Sequence, residues 1–345
     1  MQRVTVTVLS ATRNHGAFID AAIESVRAQT HRDWTMHVLD DGSTDDTVAR
    51  VEAWCARDAR ITLHRAPSPP SGPLGAYLQL LALAPRGHDV ALLDGDDVWL
   101  PTHLEQTLAE LTPATDTSRA DGAPTNATPT LVHGDLALID ADARVIAPSL
   151  WRAAGLDPHP ATLRRLAIDN TVTGSTIVMN AALVAALVAR RPPSRAGTTH
   201  GDDRDTAPPL YQDSWFALAA AALGTIVSRP AVTVHYRQHG HNLVGAAPRS
   251  APGIGELSPR ELIARVSAAR RNTARLRRDL ARSYAQAEAF GSAFHDVLHA
   301  DDRAFLARYA AIARMPQPLR AWRLFTMRRS PSASVLRRLG EALRG

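Results

Sequence analysis

Short β-branched runs alternate with helix-period apolar stripes through the first hundred residues, and each run stops at a polar loop. Residues 3–9 (RVTVTVL) form the first run, broken at Ser10 to Asn14, after which Phe18, Ala22, Ile23, Val26 and Ala28 recur at helical spacing. Thr35 to Leu39 form the next and end in Asp40 and Asp41, followed by Gly42, Ser43 and Thr44, with Val48, Val51 and Trp54 as the helical stripe beyond. Ile61 to His64 add a weaker strand, Leu74 to Leu83 a further helix, and VALLDGDDVW at 90–99 closes the series. Strand and helix in this order predict an α/β fold, a Rossmann-like, mostly parallel sheet with helices on both faces. Ligands of such sheets sit beyond the carboxyl ends of the strands. The loops Thr12 to Asn14, Asp40 to Thr44 and Asp94 to Asp97 should therefore line one crevice.

The third loop carries the sharpest chemical signal. Asp94, Asp96 and Asp97 follow directly on an apolar run of strand length. Carboxylates this close repel one another, so their concentration where a buried strand surfaces suits a divalent cation, and all-oxygen ligands favour Mg or Mn. A solvated acidic turn is the competing reading, because Asp and Gly are ordinary turn residues.

Five blocks together resemble the inverting glycosyltransferases of family 2, which have the GT-A fold and bind a nucleotide-sugar: LDDGSTDDT at 39–47, DGDDVWLP at 94–101, NTVTGSTIVMN at 170–180, YQDSW at 211–215 and YRQHGHN at 236–242. Their order and intervals match the family over roughly residues 4 to 245. The last block is closest to the non-processive branch that includes bacterial rhamnosyltransferases, and the QxxRW pattern of processive synthases is absent. What this implies is metal-dependent transfer, with inversion, of a sugar from a dTDP- or UDP-linked donor to a hydroxyl of a glycan or lipid-linked acceptor in surface-polysaccharide assembly.

The resemblance assigns roles residue by residue. Asp40 and Asp41, with Thr12 and Arg13 on the facing loop, would hold base and ribose; a carboxylate can accept the imide N–H of a pyrimidine and Arg13 offers planar donors. Asp94 would reach ribose or cation, and Asp96 would bridge cation to diphosphate. Asp97 either touches the cation or caps the turn before Trp99 and Pro101. Arg237 suits the diphosphate by charge and fork geometry, while His239 is either a third metal ligand or a satisfied loop histidine. Asp213, ahead of an Ala-rich helix, is the candidate base for the attacking hydroxyl, a role compatible with an N-cap. Trp215 either stacks on a sugar or packs against the sheet. Asp135 and the stretch Thr173, Gly174 and Ser175 would lie on the acceptor side. Two other function classes fit the residues less well. A non-catalytic nucleotide-sugar or glycan binder of the same fold is disfavoured by the intact Asp94, Asp96 and Asp213. A dinucleotide-dependent oxidoreductase needs a glycine-rich turn after the first strand, and Ser10 to Gly16 holds one glycine.

The catalytic domain is expected over residues 1–250, with flexible insertions at 112–130 and 191–210 where Pro, Thr, Gly and Asp replace any apolar period; the second insertion could serve as a lid. Residues 251–345 read as a helical extension. Ser258, Pro259 and Glu261 make a helix start, and Leu262, Val266, Ala269, Thr273, Leu276, Leu280 and Tyr284 then recur at alternating four and three spacing. That stripe can pack within the monomer, pair with another helix or form a homodimer seam. A second helix is expected near Asp302 to Arg314. One cysteine, Cys55, excludes an internal disulfide framework and fits a reducing cytoplasm. No signal peptide or membrane-spanning run is evident. The formal net charge is +5, carried by arginine without lysine. The basic, Trp- and Phe-bearing segment 316–345 suits the surface of an anionic membrane, giving a peripheral location on its inner face. Nucleic acid is set aside as a partner, since no nucleic-acid module is recognisable.

Overall fold

The computed structural model describes residues 5–66, 71–111, 128–190, 192, 210–239, 277–316, 319–320 and 323. The expected helix start at 258–261, nearly all of both expected insertions and most of the basic tail lie outside these residues. The chain divides into two compact units: Met1–Leu166, Asn170–Arg191 and Tyr211–Ala247 form one, and Ala167–Asp169, Pro192–Leu210 and Pro248–Gly345 the other.

The first unit is built on a nine-stranded sheet. Strands β1 (Val6–Thr12), β2 (Trp34–Asp40), β3 (Ile61–Arg65) and β4 (Asp89–Leu92) pair in parallel in the order 3-2-1-4. Helices α1 (Ile19–Arg27), α2 (Thr47–Arg57) and α3 (Gly72–Leu83) make the crossovers. Beyond β4 the pairing changes direction. Short β8 (Val178–Met179) runs antiparallel to both β4 and β6 (Thr130–Ile139). Strand β6 then pairs in parallel with β9 (Thr225–Arg237), whose other edge takes β5 (Val98–Trp99) antiparallel. Strand β7 (Val145–Ala147) forms a hairpin on β6.

The β-branched alternation of β1 explains its place. Val6 and Val8 face a core that contains Ile19, Ile23 and Val26 of α1, Val51 of α2, and Leu104 and Leu111 of α4 (His103–Leu111), all buried. Thr7 and Leu9 point to the opposite face, which α3, α7 (Ala181–Ala189) and α8 (Gln212–Leu223) cover. Both faces being buried is what lets the central strands read as continuous apolar runs. Two short helices, α5 (Leu150–Ala154) and α6 (Leu163–Ile168), and a 3-10 turn at Gly174–Thr176 complete the unit.

Helix α3 starts without help from its own flanking side chain. Its first turn is held by Asp41, at the end of β2, which accepts from Ser71 N (2.8 Å), Ser71 Oγ (2.9 Å) and Gly72 N (3.0 Å). A carboxylate there satisfies orphan N–H groups and opposes the positive end of the helix dipole.

In the second unit, helix α9 (277–293) and α10 (Ala300–Ala311) pack on each other. Tyr284 and Tyr309 meet edge to face at 5.0 Å, Ser283 Oγ lies 2.9 Å from Tyr309 Oη, and Leu280, Phe290 and Phe294 are buried. The described end of the predicted stripe, Leu280 and Tyr284, thus serves a helix pair within the chain. Among the described residues no helix is long and apolar enough to cross a membrane.

Asp41→Ala should lower the unfolding free energy, read from urea denaturation, by about 1–2 kcal/mol, the usual worth of a lost helix cap. Acid should also weaken the fold through two buried histidines. Burial, reinforced by Arg229, pulls His103 down to about 3, and burial, reinforced by His159, pulls His133 down to about 4. Both stay neutral in the folded protein while the unfolded chain takes up protons below about 6.5. Stability is therefore full above that pH and is lost as pH falls, by about 2 kcal/mol per histidine between 6.5 and 5. His103→Gln should flatten that pH dependence by about half.

Candidate active site

Each of the three polar loops leaves the carboxyl end of a parallel strand, and hydrogen bonds join them. Asp41 N donates to Thr12 O (2.9 Å), Asn14 N to Ser43 Oγ (2.9 Å) and Thr44 N to Asn14 Oδ1 (2.8 Å). Asn14 adopts φ 57°, a left-handed conformation that Asn tolerates, and so turns the first loop toward the second. The third loop packs on the first at Gly95. A Cβ there would lie 2.7 Å from His15 Nδ1 and 2.8 Å from Thr12 Oγ1, so only glycine allows this approach. The sequence expectation that Thr12 to Asn14, Asp40 to Thr44 and Asp94 to Asp97 share one rim is met.

The three carboxylates of the third loop occupy different environments. Asp97 is fully buried, with its carboxylate accepting from Ser175 Oγ and from Arg237 N (2.9 Å). Burial, and then the charges of Asp96 and Asp94, push its carboxyl well above the usual range. The bonds to Ser175 and Arg237 hold the turn in place. Asp94 is half-buried, its N–H donates to Ser175 Oγ (3.1 Å), and Oδ1 accepts from Tyr77 Oη (2.7 Å). Burial and the neighbouring Asp96 raise its carboxyl. Tyr77 is itself fully buried, and burial together with Asp94 keeps its phenol protonated. Asp96 Oδ2 meets His239 Nε2 at 2.9 Å. Burial alone would raise the Asp96 carboxyl, but the His239 bond and the charges of His15 and His239 outweigh it and hold it low.

The end of β9 closes the site. His239 stacks on Phe18 with ring centres 4.7 Å apart, and the Arg237 guanidinium lies over the same ring at 5.0 Å. Arg237 is buried; its Nε donates to Asp96 O (2.9 Å) and Nη1 to Asp140 O (3.1 Å) and Ala141 O (2.9 Å). The guanidinium thus ties the acidic turn to the β6–β7 hairpin. Helix α8 approaches from the other side. At Gly174 an added Cβ would meet Gln212 Nε2 at 3.0 Å and Asp94 Oδ2 at 3.4 Å, so the side chain of Gln212, the residue before Asp213 in α8, and the Asp94 carboxylate both border Gly174. Asp213 is the second residue of the helix and Tyr211 its N-cap, so the N-cap reading of Asp213 does not hold.

Other expectations resolve as packing. Trp215 is fully buried and packs in the core. Asp135 is buried and accepts from Ser149 Oγ, Trp151 N (3.0 Å) and Leu136 N (2.8 Å), which places it under the start of α5. Asp40 folds back onto Gly42 N and Ser43 N, both at 3.2 Å, and Arg13 is exposed on the rim. Tyr77, His15, Phe18 and Gln212 were missed in the sequence. Tyr77 left a trace there as the lone phenol in the apolar stretch Leu74 to Leu83, Phe18 as a position of the first helical stripe and Gln212 as part of YQDSW.

Two carboxylates and an imidazole, Asp94, Asp96 and His239, have donor chemistry suited to Mg or Mn. Among the described residues no three such groups are preassembled at cation spacing. Thr12 Oγ1 and His15 Nδ1, both buried against Gly95, have no hydrogen-bond partner among the described residues, which fits a site completed by a ligand.

Comparison with known proteins agrees with this geometry. Residues 7–117 match the family described as Glycosyl transferase family 2. The UDP-Glc:alpha-D-GlcNAc-diphosphoundecaprenol beta-1,3-glucosyltransferase WfgD of Escherichia coli is 33% identical over 109 residues, 32% of this chain and 42% of that protein. The putative teichuronic acid biosynthesis glycosyltransferase TuaG of Bacillus subtilis is 34% identical over 103 residues, 30% of this chain and 40% of that protein. The aligned stretch thus spans less than half the length of either relative. Among solved structures, S. aureus TarS 1-349 in complex with UDP-GlcNAc superposes with a TM-score of 0.52 at 15% identity, covering 94% of this chain and 80% of that one, a likeness of fold. Residues 7–117, the stretch that carries both acidic loops, are thus similar to glycosyl transferase family 2, and the fold is the GT-A fold shared with TarS.

Proposed function

We propose that this protein transfers a sugar, with inversion, from a pyrimidine nucleotide-sugar to a hydroxyl of a glycan or lipid-linked acceptor in surface-polysaccharide biosynthesis. The observation that carries the reading is the meeting of Asp94 and the first turn of α8 across Gly174. This supports a reading in which a turn suited to an activated phosphate works with Asp213, the residue after Gln212, as a carboxylate suited to a proton. WfgD, named as a glucosyltransferase acting on alpha-D-GlcNAc-diphosphoundecaprenol, and TuaG, named as a putative teichuronic acid biosynthesis glycosyltransferase, support the acceptor class.

In this mechanism the rim of β1 and β2, with Thr12, Arg13 and the Asp40 loop, takes the nucleoside. Asp41, occupied by α3, shapes that rim without meeting the base. Asp94, Asp96 and His239 would hold a divalent cation, which supplies charge neutralisation for the departing diphosphate. Arg237 fixes the turn from behind through its backbone carbonyl contacts. Asp213 accepts the proton of the attacking hydroxyl as the glycosidic bond forms on the face opposite the leaving group.

Asp213→Asn should cut transfer by about 10²–10⁴-fold, the typical contribution of a general base, while the donor dissociation constant measured calorimetrically stays near the wild-type value. Retention of substantial transfer would move the base elsewhere. Asp96→Ala should instead weaken binding of UDP-sugars in the presence of Mn by about 10–100-fold, as for a lost charge-assisted contact. Equal affinity in both proteins would remove Asp96 from the donor site.

A further inference from the structure

The two acidic loops are not independent, because both are fastened to α3. Asp41 accepts three hydrogen bonds from Ser71 and Gly72 at the start of this helix. Further along the same helix the Tyr77 hydroxyl donates to Asp94 Oδ1 (2.7 Å) and contacts Leu93 O (3.2 Å). Tyr77 is 1% exposed and its helix is buried between the sheet and α7 and α8, so the phenol has no freedom to follow a wandering carboxylate. One oxygen of Asp94 is thereby spent, and the other is left beside Gly174 and Gln212. The Asp94 backbone is pinned as well, by its N–H to Ser175 Oγ at 3.1 Å.

We infer that Tyr77 is a positioning residue: its hydroxyl fixes the Asp94 carboxylate so that Oδ2 faces the nucleotide, and α3 sets the distance between the nucleoside rim and the phosphate rim. This rests on the reading of Asp94 as a nucleotide-binding group. A flexible carboxylate flanked by Asp96 would turn away from like charge; a buried donor on a rigid helix removes that freedom before the ligand arrives.

A double-mutant cycle of Tyr77→Phe and Asp94→Asn tests the inference, with UDP, UDP-N-acetylglucosamine, UDP-glucose and dTDP-glucose as calorimetric probes in Mn. Tyr77→Phe, with a melting temperature close to wild type, should bind the best of these about 5–30-fold more weakly. The same change made in Asp94→Asn should have little further effect, since the hydroxyl acts through that carboxylate. Unchanged affinity in Tyr77→Phe, or losses that simply add, would overturn the inference while leaving the nucleotide-sugar reading intact. No binding of any probe by the wild-type protein would remove both. Should Tyr77→Phe fail to fold, 3-fluorotyrosine at position 77 gives a stronger donor in the same volume and should change affinity, whereas an unchanged value would overturn the inference.

Discussion

The acidic turn depends on one fully buried carboxylate, Asp97. Asp97 binds Ser175, in the 3-10 turn before β8, and the backbone of Arg237, at the end of β9. These segments are far apart in sequence, and each also holds a neighbour of Asp97: Ser175 Oγ accepts from Asp94 N, and Arg237 Nε donates to Asp96 O. The acidic turn is thus clamped from two sides through its third member. A carboxylate buried this deeply survives because its oxygens are met by donors.

The same economy separates the acidic residues into kinds. Asp41 follows the end of β2, as Asp94 and Asp96 follow β4, and Asp135 lies within β6; Asp41 and Asp135 are both consumed by the N–H groups of a following helix. Asp94 and Asp96 keep their side chains at the rim, paired with a phenol and an imidazole. Acceptance from the backbone N–H groups of a helix sets Asp41 and Asp135 apart from Asp94 and Asp96; position at a strand end and burial do not, since Asp41 and Asp96 are both buried.

This is why the sequence disclosed the fold more fully than the site. Apolar period, turn residues and strand-end aspartates are local signals, and they placed β1 to β4, α1 to α3 and the shared rim. The role of Asp97, the inward packing of Trp215 and the backbone contacts of Arg237 arise from partners 78 to 141 residues away, which no local period encodes. The antiparallel insertion of β8 between β4 and β6 is equally non-local, since a two-residue strand leaves no alternation to read. His15 and Gln212 meet Gly95 and Gly174, contacts 80 and 38 residues away that no local pattern encodes, although Gln212 lies in the YQDSW block.

The pairing of β6 with β9 has a consequence for how this chain can vary in length. Ten residues of β6 (Thr130–Ile139) run beside thirteen of β9 (Thr225–Arg237), and the register slips between Gly134 and Asp135 and again between Asp135 and Ala137. Pro230, which has no N–H to give, falls where the ladder is broken. The slack is taken up before Ile139 meets Arg237, so the last rungs decide which face His239 follows. Single-residue insertions or deletions in β9 upstream of Val232 can be absorbed by the irregular stretch, whereas one between Val234 and Arg237 would reverse the inside and outside of the strand's end. Evolutionary drift in loop and strand length is therefore confined to the half of this ribbon remote from the acidic turn.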